Sequence, residues 1–294
     1  MNMRRITFVI KKLTEILRIT GLSMAFIMII GCDSEQNELT VGDEDWSFLV
    51  FGDMRQGFSI YDVLVKHMAA IKPLPALALC GGDIMMSPNN EIEWKAFWEH
   101  SKPITDVMPV FITRGNHEGS DPQSEKIFRE QTRLKSSEFY YSYTVYNTRF
   151  IICDTEIEGT EGSIVGKQLE WLTNELNKAE NNDSITNIFV CFHRPIFPQG
   201  AHYGDDMVNA DELHGLLLQY VKLRAVFMSH DHIFNRLQKD GVEYITTGGA
   251  GANLFHDRGG GYHHFLKVSV TNKTNNINIK TIGLFNDVVE EFNL

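Results

Sequence analysis

Five apolar runs in this chain stop abruptly at residues that can bind a metal or move a proton. Trp46–Phe51 stops at Asp53, Ala76–Cys80 at Asp83, Val110–Ile112 at Asn116, His117 and Glu118, Ile188–Phe192 at His193, and Ala225–Met228 at His230 and His232. Uninterrupted apolar runs of this length read as strands buried on both faces. In open α/β sheets the site lies beyond the carboxyl ends of the strands. Runs that end this way therefore bring all those side chains to one edge, and Gly115 allows the backbone to turn where its strand ends.

Helical spacing fills the gaps between the runs. Ile60, Leu64, Met68 and Ile71 keep it after the first run; Asn89–His100 and Gln123–Leu134 follow, then Val165–Leu176 and Ala210–Val221. Phe139–Tyr146 and Arg149–Cys153 flank Asn147-Thr148, which reads as an antiparallel hairpin. The last third is β: Glu243–Thr247, then Phe265–Val270 and Ile277–Ile282 around the turn 271–276. The expected class is α/β, a two-sheet β-sandwich flanked by helices. No G-x-x-x-x-G-K-[ST] or G-x-G-x-x-G loop follows a strand, so nucleotide-binding folds are not supported.

Asp53, Asp83, Asn116, His193, His230 and His232 form a mixed oxygen and imidazole donor set. Such a set suits Mn, Fe or Zn better than Ca. Six donors exceed what one four-coordinate zinc needs. With Asp83 able to bridge, they fit two divalent or trivalent ions about 3.5–4 Å apart.

The order Gly52-Asp53, Gly82-Asp83, Gly115-Asn116-His117-Glu118, a strand-end His193 and His230-Asp231-His232 resembles the calcineurin-like metallophosphoesterase superfamily, over about residues 46–250. The resemblance implies a four-layer αββα fold. It implies one ion on Asp53, Asp83 and His232, and another on Asp83, Asn116, His193 and His230. It further implies phosphate-ester hydrolysis by a metal-bound hydroxide, with His117 as general acid. Thr247-Gly248-Gly249-Ala250-Gly251 is similar to the glycine-rich close of secreted members.

Two departures stand out. Ser229 precedes H-x-H where the family usually has Gly. The family's first motif is usually D-x-H with a ligating His, and here position 55 is Arg; purple acid phosphatases supply a Tyr three residues after the second Asp, and here that residue is Met86. A guanidinium stays charged and cannot ligate a cation. Arg55 can clamp a phosphate bidentately, pair with a ligand carboxylate, or make a plain loop contact. Arg194 and His202, on the loop after His193, are candidates to meet substrate. His263 and His264 precede a strand near the same edge. His67, His100 and His214 read as surface or packing residues, Tyr140, Tyr141 and Tyr143 as sheet packing, and Asp154 as a supporting or turn residue.

Residues 1–31 read as a leader. Arg4, Arg5, Lys11, Lys12 and Arg18 precede the apolar stretch Thr20–Gly31, which is short for a membrane span and ends at Cys32. This resembles a bacterial lipoprotein signal, with Cys32 as the lipidated residue; an uncleaved anchor is the alternative. Segment 32–45 is then a polar tether and 46–294 the domain, held outside the cytoplasm at the cell envelope. The leader's net +4, taken from the chain's −11, leaves −15. So acidic a domain is a poor partner for a nucleic-acid backbone. The expected partners are a phosphate-ester substrate and the membrane. A monoester is the first expectation; a diesterase, or a binding protein with an eroded metal site, are the rivals.

Overall fold

The computed structural model describes residues 45–294. The leader, Cys32 and the polar segment up to residue 44 lie outside the described residues. Among the described residues, twelve strands and five α-helices alternate, then give way to β-structure. The strands are β1 (Trp46–Phe51), β2 (Ala78–Cys80), β3 (Val110–Ile112), β4 (Tyr141–Val145), β5 (Thr148–Ile152), β6 (Asn187–Cys191), β7 (Leu223–Met228), β8 (Phe234–Lys239), β9 (Val242–Thr247), β10 (His264–Thr271), β11 (Asn276–Gly283) and β12 (Val288–Asn293). The helices are α1 (Phe58–Ala70), α2 (Glu91–Thr105), α3 (Pro122–Thr132), α4 (Gly166–Glu180) and α5 (Ala210–Leu217).

Two six-stranded mixed sheets form, in the orders β12-β11-β10-β1-β2-β3 and β4-β5-β6-β7-β9-β8. β1, β2 and β3 run parallel, as do β5, β6, β7 and β9. The period-2 alternation of side chains explains the layering. In β1, Phe48 and Val50 join a core between the sheets, where they meet Phe150, Phe189 and Phe227, while Leu49 and Phe51 face a second core under α1 and α2. In β6 and β7, Phe189, Cys191, Ala225 and Phe227 point to the first core, and Ile188, Val190, Val226 and Met228 to a third under α4 and α5. A sheet apolar on both faces must be covered on both, and four layers result. Phe48 anchors the seam edge-on, with ring centroids 5.0 Å from Phe150 and 5.1 Å from Phe189. Cys80, Cys153 and Cys191 are buried thiols.

The expected hairpin forms, but its turn sits one residue earlier. Thr148 is already paired with Val145, and Tyr146, at φ 53°, makes the reversal with Asn147. α2 extends to Thr105 through Pro103.

Candidate metal centre

The parallel strands end level, with Phe51, Cys80 and Ile112 adjacent in one sheet and Cys191 opposite Phe227 in the other. The backbone then reverses sharply. Asp53, Arg55, Asp83, His230 and His232 have φ of 59°, 42°, 53°, 72° and 49°. Side chains with a Cβ rarely adopt this conformation, and its concentration at one seam is typical of a functional site. The loops fit because small residues line them. A Cβ on Gly52 or Gly81 would lie 2.3 Å or 2.0 Å from Ser229 Oγ. Ser229, buried, gives its hydroxyl to the Thr247 carbonyl (3.2 Å), so serine is accommodated where the family usually has glycine.

Four lone-pair donors converge beside β3 and β6. His193 Nε2 lies 3.3 Å from Asp83 Oδ1, 3.0 Å from Asn116 Oδ1 and 3.1 Å from His230 Nδ1. His193 Nδ1 is turned to the Gly81 carbonyl at 2.7 Å, where only an N–H satisfies it. Its Nε2 then faces three other acceptors, an arrangement that calls for a positive charge in the middle. Without a cation, a proton is drawn in. Burial disfavours the His193 imidazolium, but the carboxylates of Asp83 and Asp53 outweigh it and raise its pKa. Burial, with the positive charge on His193, drives His230 far below the ordinary imidazole value. Burial also opposes the Asp83 carboxylate, yet His193, Arg55 and His117 keep it ionised to well below the usual range. The residues fit a metal ion here.

The other expected position is less complete. Asp53 Oδ1 and His232 Nε2 are buried without a hydrogen-bond partner and lie 3.5 Å apart. His232 Nδ1 donates to the Asn253 carbonyl (2.8 Å), which turns Nε2 inward. Asp53 Oδ2 accepts the His230 backbone N–H at 2.9 Å, tying the two loops together. Donor atoms of Asp53, Asp83 and His232 come within 4.8 Å of one another. Arg55, however, has Nε 3.2 Å and Nη2 2.8 Å from Asp83 Oδ2. Of its three readings, the pairing with a ligand carboxylate is the one the structure contains.

His117 stands at the rim. Its backbone N–H donates to Asp83 Oδ1 (3.0 Å) and its Nδ1 to the Met86 carbonyl (2.7 Å), leaving Nε2 3.9 Å from Asp83 Oδ2. His202 stacks on His230, with centroids 4.1 Å apart. With Arg194 and His230 it lines a cleft of 230 Å³. Arg194 is not free in that cleft: Nε and Nη2 each bind Glu156 at 2.8 Å.

Three carboxylates support these loops; Asp154 was expected as a supporting or turn residue, while Glu118 and Asp231 carry roles that the strand-end pattern does not assign. Glu118 accepts the backbone N–H groups of Asp83 (2.9 Å), Ile84 (2.8 Å) and Gly115 (2.6 Å) beneath the site. Burial and the neighbouring Asp83 push its pKa up to about 8. Asp231 accepts the N–H groups of Gln199, Gly200 and His202 and so sets the loop that carries His202. Asp154 pairs with the fully buried Arg114, two residues before Asn116. The signal for Asp231 and Glu118 was their position beside ligands; nothing local announced Arg114.

Of the remaining histidines, His263 and His264 stand behind the glycine-rich loop whose Gly248 abuts Asp53 and His232, and the others pack farther away. His264 is buried between Thr247 Oγ1 and the Tyr262 carbonyl, and burial pushes its pKa down to about 4. His263 binds the Gly249 carbonyl at 3.1 Å. His67 binds the Leu284 carbonyl, His100 pairs with Asp62, and His214 is held between Tyr244 and Asp240. Tyr143 stacks between Phe111 and Phe150 as sheet packing.

Residues 47–234 match the family model of the calcineurin-like phosphoesterases. The chain belongs to that family. Among curated relatives of this calcineurin-like phosphoesterase, Purple acid phosphatase 23 of Arabidopsis thaliana is 25% identical over 200 residues, 61% of this chain and 42% of the relative. The chain thus spans less than half the length of that relative. Two solved structures share the fold. A purple acid phosphatase from yellow lupin (Lupinus luteus) seeds has a TM-score of 0.71 at 17% identity, over 85% of this chain and 53% of its own. A dimetal phosphatase from Danio rerio has a TM-score of 0.66 at 14% identity, over 84% and 98%.

Proposed function

We propose that this calcineurin-like phosphoesterase hydrolyses phosphate esters with the help of bound metal, and that its substrates are monoesters. One observation carries the reading: three lone-pair atoms lie within 3.3 Å of His193 Nε2, which is itself an acceptor. Asp83, Asn116, His193 and His230 would hold the cation, with Asp53 and His232 beside them. A cation there supplies Lewis-acid charge against phosphoryl oxygens and makes water acidic enough to ionise near neutral pH.

The chain's own groups do the rest. Phosphoryl transfer needs little covalent chemistry from the protein and much positioning. His117, fixed by Met86, presents Nε2 at the rim, where it can hand a proton to the departing oxygen. His202 forms one wall of the cleft, and Arg194, paired with Glu156, forms another beside Glu161, Asp205 and Asp206. The relatives named as purple acid phosphatases support the choice of a monoester. The lipoprotein-like leader supports a place at the bacterial cell envelope, tethered through Cys32.

The test is hydrolysis of generic aryl phosphate monoesters and diesters by the full chain with added Mn, Fe or Zn. Monoester turnover is expected to exceed diester turnover, and His193→Ala should lose at least about 100-fold while keeping the fold. Activity should sediment with membranes, and the wild type but not Cys32→Ser should incorporate labelled fatty acid. Wild-type turnover in His193→Ala would refute the centre, a preference for diesters would refute the substrate class, and a wild type that takes up no fatty acid would refute the lipid anchor.

A further inference from the structure

Asp83 must offer a free lone pair to each of two cations if the centre is dinuclear, from one oxygen or from both. Oδ1 accepts the His117 backbone N–H at 3.0 Å, and its other lone pair faces the position built by Asn116, His193 and His230. Oδ2 is already taken. It receives Nε–H and Nη2–H from Arg55 at 3.2 and 2.8 Å, a fork on a single oxygen. A carboxylate oxygen has two lone pairs in its plane, and two N–H donors use both.

The contact is also built into the backbone. Arg55 N–H donates to the Asp83 carbonyl at 3.1 Å, and Arg55 and Asp83 both hold positive φ. The Arg55 side chain is 18% exposed and the Asp83 side chain is fully buried, so water competes weakly for the pair. Without Oδ2, the first position keeps only Asp53 Oδ1 and His232 Nε2. Two protein ligands are fewer than the three or four that hold zinc in protein sites. A cation placed there would also sit against a permanent positive charge.

We propose that this chain binds one metal ion rather than two, and that the Arg55 guanidinium supplies the positive charge at the first position. The proposal rests on the metal centre of the function proposed above. It makes Arg55 part of the site's charge balance, where the sequence had left a missing ligand.

Metal analysis of the full chain, loaded with excess Mn and then freed of loose metal, tests it. One ion per chain is expected in the wild type, and Mn in that protein should give the hyperfine pattern of an isolated ion in electron paramagnetic resonance. Arg55→His restores an imidazole and releases Oδ2, so it should take up a second ion and show exchange coupling. Arg55→Ala, which releases Oδ2 without adding a ligand, should show the same change with weaker retention. Two ions in the wild type would overturn this proposal and leave the proposed function standing. No ions in the wild type would overturn both. One ion in the wild type and in both variants would remove Arg55 as the cause.

Discussion

Asp83 joins most of what the site does. Its Oδ1 faces His193 and accepts the His117 backbone N–H, its Oδ2 takes the Arg55 fork, and its own N–H is held by Glu118. Behind it the loop 114–118 rests on a buried ion pair. Arg114 meets Asp154 at 2.6 Å, with both side chains fully buried, and also bonds the Glu156 carbonyl at 2.7 Å. Removing one partner of such a pair leaves an uncompensated buried charge. Arg114→Ala should therefore cost about 3–5 kcal/mol, read by urea unfolding, and should weaken metal binding through Asn116. Lys95→Ala, at an exposed pair with Glu99, should change stability little. Equal losses in the two variants would contradict the role of Arg114. Each candidate ligand was legible because its type is unusual at the end of an apolar run. The partner of Arg55 and the work of Arg114 were not, because both depend on where long side chains come to rest.

At the scale of elements, the five apolar runs became β1, β2, β3, β6 and β7, and pattern alone identified them because both faces are buried. β8 and β12 escaped notice for the opposite reason. They are edge strands, Phe234–Lys239 and Val288–Asn293, with largely exposed, polar-rich faces. Edges of this kind carry charge rather than apolar periodicity. α4 is fastened to the hairpin β4–β5 by Glu175, which receives Arg149, Ser142 and Lys178. Burial disfavours its carboxylate, but Lys178, Ser142 and Arg149 outweigh that and hold its pKa at about 2, below the unfolded 4.5. A depressed carboxylate stabilises above its unfolded pKa and loses that contribution as pH falls through the folded one. Glu175→Gln should thus cost about 1–2 kcal/mol at pH 7 after solvent screening. The gap to wild type should shrink between pH 4.5 and 2. A gap independent of pH would assign the effect to packing instead.

The whole molecule places its chemistry where two sheets meet end-on. One sheet contributes Asp53, Asp83 and Asn116, the other His193, His230 and His232, and no single layer holds a complete ligand set. Folding and site assembly are therefore one event, and the aromatic seam around Phe48 keeps the two halves in register. The remaining acidic charge of the domain makes a bound cation the natural source of attraction for an anionic ester. Diffraction at the zinc absorption edge, from crystals of the zinc-loaded protein, tests the central claim most directly. The account predicts an anomalous peak about 2.0–2.3 Å from Asp83 Oδ1, Asn116 Oδ1, His193 Nε2 and a ring nitrogen of His230; a folded, zinc-loaded protein with no peak among those four residues would contradict it.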